Sequence, residues 1–215
     1  MPMPTKKEKE VRFHIGNLEL RDDKKEGSAG TIGGYAAVFN KLSEPLGRFR
    51  EKIAPGAFAD SLKNDVRAFW NHNMDFILGR TSAKTLSLKE DQLGLAFNLD
   101  LPDTQMGNDI LTSVRRGDIS GMSFGFMVNE DNWERGKAGE PHIRTLLKVD
   151  LFEVSPVVFP AYPQTSVNAR SAEAVLAELE AQWDAEDKKS ANLISVNDAR
   201  RKLLVTEFEF KTSVP

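Results

Sequence analysis

A chain of 215 residues, 40% hydrophobic and 28% charged, is long and apolar enough to bury a sizeable core in one domain with an appendage. The formal net charge of -3 gives no global attraction to nucleic acid or to an anionic membrane, and the absence of cysteine excludes disulfides, thiolate metal sites and a cysteine nucleophile. No apolar run is long enough to span a bilayer and no apolar signal core follows the charged start, so a soluble cytoplasmic protein is expected.

Met1 to Glu10 is polar and basic and is expected to be mobile, and Val11 to Leu20 reads as a first strand. Asp22 to Gly34, charged and then glycine-rich, reads as a loop or hairpin connection before an apolar strand at Tyr35 to Phe39. Pro55 can open a short helix with Phe58 and Leu62 inward, because its missing N–H costs nothing at the first helical position. Val66 to Asn71 is a short strand with His72 just beyond it. Thr85 to Lys89 alternates apolar and polar residues, and a turn at Glu90 to Gln92 joins it to the clearest strand, Leu93 to Leu101, where Leu93, Leu95, Phe97, Leu99 and Leu101 share one face.

Pro102 ends that strand. Asp103 or Thr104 can cap a helix bearing Met106, Ile110, Leu111 and Val114 on one side, with Arg115 and Arg116 at its negative end and Gly117 as its stop. Ile119 to Val128 is the next strand, Asn129 to Pro141 a long turn, and Ile143 to Val158 is extended, with an interruption near Pro156. Pro160 to Asn168 is a loop. Ser171 to Lys189, acidic and alanine-rich, spaces Val175, Leu176, Leu179 and Trp183 as an amphipathic helix. The last segment, around Leu203 to Val205, has no readable pattern, and no internal repeat is present. The sum is a mainly β domain with interleaved helices (α+β), built of antiparallel strands that a closed or nearly closed barrel would protect at their edges.

Three residues could carry chemistry. In Ile119-Ser120-Gly121-Met122-Ser123-Phe124-Gly125-Phe126, strand parity puts Met122, Phe124, Phe126 and Val128 on a core face with Ser120, and Ser123 on the other face beside the bare backbone of Gly121 and Gly125. A nucleophile needs that openness; a small residue where strands pack tightly would read the same. His72 follows an apolar strand, shielded yet reachable, as a general base must be, or as a polar turn residue can be. Glu153 falls on the face of Ile143, Leu147, Val149 and Leu151 if the strand is regular, where a carboxylate needs a partner such as His72; a bulge would turn it to solvent instead. His14 and His142 have no comparable setting. Gly27 to Gly34 lacks the Lys-Ser/Thr ending of a phosphate loop, and Asp100, Asp103 and Asp109 lack metal-loop spacing.

From about Gly34 to Thr165 the chain resembles the prohead proteases of HK97-like tailed phages. The pieces come in order: Gly34 to Asn40; Glu51 to Phe58; Trp70-Asn71-His72-Asn73 followed by Leu78-Gly79-Arg80; Arg115 to Phe126; then Glu153-Val154-Ser155-Pro156-Val157 and Pro160-Ala161-Tyr162. The resemblance implies a herpesvirus assembly protease-like antiparallel barrel over 34–168; the N-terminal strand and flexible segment in 1–33 and the acidic helical tail in 169–215, read from their residues, lie outside it. It implies a serine endopeptidase inside the viral procapsid, in the host cytoplasm. Such an enzyme would cut the scaffolding segment of the major capsid protein, other internal prohead proteins and itself, without metal or cofactor and without nucleic acid or membrane as partner. Carried over by motif, Ser123 is the nucleophile and His72 the base. Herpesvirus enzymes use a second histidine, for which His142 is available; Glu153, inside a matching block, is preferred. Backbone N–H groups of Met122 to Gly125 or near Pro160 would stabilise the oxyanion, and a homodimer is an analogy. The competing reading is a non-enzymatic scaffold or structural prohead protein on the same fold; a general serine hydrolase is disfavoured because no Gly-x-Ser-x-Gly elbow is present.

Overall fold

A computed structural model describes residues 8–15, 18–21, 26–158 and 172–190, with the side chains of His14 and Ile15 excepted. The expected loop at Pro160 to Asn168, the Pro160-Ala161-Tyr162 block, the first seven residues and the stretch around Leu203 lie outside the described residues. The chain divides into two units, Met1–Arg170 and Ser171–Pro215.

Among the described residues the first unit holds ten strands in two sheets. β1 (Lys9–Ile15), β9 (Gly121–Glu134), β10 (His142–Val157), β5 (Arg67–Trp70) and β6 (Asn73–Arg80) lie in that spatial order, and β4 (Phe49–Ile53) also pairs with β10. The second sheet runs β2 (Glu19–Arg21), β3 (Ser28–Val38), β8 (Gly94–Pro102), β7 (Leu86–Glu90). β10 is the hinge of the arrangement: β9 lines one of its edges, while the other edge takes β4 near His142–Leu146 and β5 at Glu153 and Val154. Those two pairings are parallel, so the first sheet is mixed rather than wholly antiparallel.

The core is built where the two sheets meet. Ile32, Leu95, Phe97, Leu99 and Leu101 from the second sheet join Met122, Phe124, Phe126, Val149 and Leu151 from the first in one buried cluster. Phe58 closes it, its ring 6.3 Å from Phe39 and 5.7 Å from Phe124. The single α-helix of this unit among the described residues, α1 (Gln105–Arg116), is bounded as its sequence dictates. The Thr104 hydroxyl accepts from the Gly107 N–H, and Gly117 ends it at φ 81°.

Several expectations are corrected. The first strand is two, β1 and β2, and they belong to different sheets. The glycine-rich stretch is not a loop but the buried start of β3, so the 33/34 boundary falls inside a strand. Its glycines answer packing: a Cβ on Gly30 would lie 2.8 Å from the Leu111 side chain, where α1 covers the strand. The short helix does not open at Pro55: residues 55–60 are turns, and a one-turn 3-10 helix follows at Ser61–Lys63. β4 and β6 were not anticipated, and Leu93 precedes its strand and is exposed. The long polar turn shrinks to residues 135–141, because β9 and β10 continue into it as a hairpin.

The second unit contributes a helix at residues 172–190. Its more buried positions include Leu176, with Val175, Leu179 and Trp183 half-buried, as the spacing predicts. Among the described residues no helix is long and apolar enough to cross a membrane.

Candidate active site

Ser123 lies in the middle of β9, between Phe13 of β1 and Ser155 of β10. Partners directly opposite in antiparallel strands share a sheet face, so Ser123, Phe13 and Ser155 point the same way, with Met122, Phe124 and Phe126 on the core side as parity requires. Ser120 is exposed and precedes the strand, which removes it from the core face. The Ser123 side chain is fully buried, and its hydroxyl donates to the Arg12 carbonyl at 2.9 Å.

His72 is delivered by the β5–β6 hairpin. Trp70 pairs with Asn73, so the connection is two residues long, and both of them, Asn71 at φ 51° and His72 at φ 63°, have left-handed backbone. That is the type I′ geometry that suits the twist of a hairpin, normally with glycine in the second place. A histidine there carries a cost of order 1–3 kcal/mol, a pattern that clusters at functional sites. The Asn71 N–H donates to the Pro156 carbonyl at 3.1 Å and moors the turn to the end of β10. The imidazole meets the Phe13 ring edge-on at 5.7 Å, and its Nδ1 lies 3.4 Å from Glu153 Oε2. That contact is not aligned as a hydrogen bond: both ring nitrogens are buried and without a hydrogen-bond partner.

Glu153 reaches this face by a route the regular pattern hides. Leu151 pairs with Phe126 on the core side, but Glu153 pairs with Gly125, and the register slips between them. The extra residue, Phe152, flips the parity, as a bulge does. Neither expectation holds as stated: Glu153 leaves the apolar face, yet it turns to the Ser123 face and is 2% exposed rather than solvated. Gly125 makes the room, since a Cβ there would lie 2.6 Å from Glu153 Oε1. Burial pushes the Glu153 carboxyl up, but contact with His72 and with the Lys9 ammonium, 2.8 Å away, outweighs it and holds the group below its ordinary value. The Ser155 hydroxyl adds a long contact to Oε2 at 3.5 Å.

His142, the alternative third residue, stands at the far end of β10, roughly 35 Å along an extended strand from Glu153. There its Nδ1 accepts from the Gly136 N–H. The backbone of His14 pairs with Met122. Lys9, Phe13 and Ser155 were missed as members of the site, and Gly125 was read as bare backbone beside Ser123 rather than as the room for Glu153. Gly125 and Ser155 sat inside recognised blocks, whereas Lys9 and Phe13 carried no signal, because only the long-range pairing of β1 with β9 brings them here.

A serine, a histidine and a buried carboxylate gathered on one sheet face are the residue set of a serine hydrolase. The family model for the caudovirus prohead serine protease, Peptidase_S78, matches residues 16–178, and the chain belongs to that family of phage peptidases. The prohead protease of Enterobacteria phage HK97 is 31% identical over 150 residues, which is 67% of this chain; the chain spans 61% of that relative's length. The bacteriophage T4 capsid assembly protease, gp21, is similar at a TM-score of 0.42 and 10% identity, over 71% of this chain and 99% of that one.

Proposed function

We propose that this chain is a serine endopeptidase acting inside the phage procapsid, with Ser123 as nucleophile, His72 as general base and Glu153 as the group that orients and steadies the imidazole. The observation that carries the reading is the meeting of His72 with Glu153, 3.4 Å apart, on the face that Ser123 shares. In this reaction His72 takes the Ser123 proton as the hydroxyl oxygen attacks a peptide carbonyl. It then gives that proton to the leaving amine, and water releases the acyl group by the same path. Glu153 stabilises the imidazolium in both steps without itself being protonated. The substrates are the scaffolding segment of the major capsid protein, other internal prohead proteins and the chain itself. The fold is proposed to be similar to that of the herpesvirus assembly proteases, the first unit is the proposed catalytic portion, and the acidic 169–215 tail is a proposed docking segment for shell proteins.

The test is co-expression with the neighbouring major capsid protein, unchanged chain against Ser123→Ala, read by intact mass. Shortened capsid protein with the unchanged chain alone is the expected result. Cleavage that persists in Ser123→Ala would move the nucleophile elsewhere. A second reading, a structural prohead protein, is favoured by one observation: the Ser123 hydroxyl is buried and committed to the Arg12 carbonyl. Uncut capsid protein in both cases, with the chain folded inside shells, would favour that reading.

A further inference from the structure

One strand touches every member of the proposed triad. From β1, the Arg12 carbonyl accepts the Ser123 hydroxyl, the Phe13 ring abuts His72, and the Lys9 ammonium pairs with Glu153. The strand is extended and antiparallel to the strand of the proposed nucleophile, and it presents a peptide carbonyl to that serine, as a substrate segment would. The hydrogen bond to the carbonyl oxygen lies short of attack: the serine proton is held by β1 rather than passed to the histidine.

Beyond its backbone ladder with β9, β1 is held by charge more than by apolar burial. Val11 and Phe13 are half-buried, while Glu10 and Arg12 are buried in ion pairs. Arg12 Nε donates to Glu51 Oε1 at 2.7 Å, and Arg144 Nη1 donates to Glu10 Oε2 at 2.9 Å. Such groups are rehydrated on release, which offsets much of the cost of leaving. The fixed groups left behind remain partly paired, since Arg144 keeps Glu51 at 3.1 Å and Asp131 at 2.7 Å. They are acidic on balance, with Glu51, Asp131 and Glu153 against Arg144. The match to the family begins at residue 16, after β1 ends.

We propose that the edge of β9 beside Ser123 is the binding site for an extended basic peptide, and that β1 fills this site in the resting chain. The ligand carries two cations three residues apart, on opposite faces of the strand, as Lys9 and Arg12 do: the first meets Glu153 and the second meets Glu51. The residue in the place of Arg12 presents its carbonyl to Ser123, so a basic side chain precedes the bond to be cut. This rests on the peptidase reading for its consequence, but the binding stands apart from it.

The chain has no cysteine, so a single engineered pair is unambiguous. Lys9 and Met127 face each other across the ladder, a spacing within disulfide reach. The full chain with Lys9→Cys and Met127→Cys, oxidised and then reduced, is titrated with a fluorescein-labelled peptide of the β1 sequence, Lys-Glu-Val-Arg-Phe-His-Ile, and read by anisotropy. The reduced form should bind at least tenfold tighter than the locked form, and a peptide with Glu in place of both cations should not bind. In the otherwise unchanged chain, Lys9→Glu sets like charge against Glu153 and should tighten peptide binding at least threefold. Equal binding by locked and reduced forms, no binding by either, or weaker binding by Lys9→Glu would overturn the proposal. A chain that binds the peptide but leaves co-expressed capsid protein uncut would fail the peptidase reading alone.

Discussion

His72 sits where a hairpin would favour glycine, and this allows its backbone role to be separated from its chemical one. His72→Ala and His72→Gly both remove the imidazole and should both abolish cleavage. They should differ in stability: the left-handed conformation costs an L-residue about 1–2 kcal/mol, of which glycine gives back part through the freer unfolded chain. The glycine variant should therefore be the more stable of the two by about 1 kcal/mol in urea unfolding; equal midpoints would mean the turn is not left-handed at 72. Gly125 makes the complementary case. Gly125→Ala drives a methyl group into the Glu153 carboxylate and should lower kcat/KM by about 10²–10⁴, as Glu153→Gln should.

Glu153 also fixes a pH dependence. Its carboxyl is held below the ordinary value near 4.3, so its contribution to stability is complete above that pH and is lost as pH falls through the lower folded value. The stability of the unchanged chain relative to Glu153→Gln should shrink on acidification below about pH 4.3, measured by denaturant titration. A difference that stayed constant to pH 2 would argue against an ionised, paired Glu153.

Among the elements, α1 was legible in full because its signals are local. Its cap, apolar stripe, terminal arginines and glycine stop lie within one short window, and Thr104→Ala should cost about 1 kcal/mol in unfolding free energy, with the helix otherwise intact. The strands were legible in proportion to how far their burial follows parity. β8 alternates in burial and was placed, whereas β3 has both faces covered and so carried no alternation, and its glycines imitated a loop. β10 shows where pattern reasoning stops. Its bulge beside Glu153 is a two-against-one pairing decided by the neighbouring strand, and no run of residues announces it. The face of Ser123 was legible by parity; His72 and Glu153 were brought forward as candidates by resemblance, with parity putting Glu153 on the wrong face; and Lys9 had neither signal, since its contact with Glu153 exists only once β1 has found β9.

At the scale of the molecule, the first sheet is tied together by a buried set of charges that the sequence scatters over more than a hundred residues. Glu10 and Arg12 come from β1, Glu51 from β4, Asp131 from β9 and Arg144 from β10. Arg144, 3% exposed and set over the Trp133 ring at 5.5 Å, bonds to Glu10, Glu51 and Asp131 together. Burial opposes the charge on its guanidinium, but the surrounding carboxylates outweigh that opposition and hold it firmly protonated. Arg144→Met preserves much of the volume yet leaves Glu10 and Glu51 sharing Arg12 alone in a site closed to water. The expected loss is about 3–5 kcal/mol, because the cost of an uncompensated buried charge exceeds the net worth of the pair. Replacing Glu10, Arg12, Glu51 and Arg144 together by apolar residues of similar size, so that no buried charge is left without its partner, should recover most of that loss. If the quadruple variant were no more stable than Arg144→Met, the destabilisation would lie in the packing of Arg144 on Trp133 rather than in stranded charge.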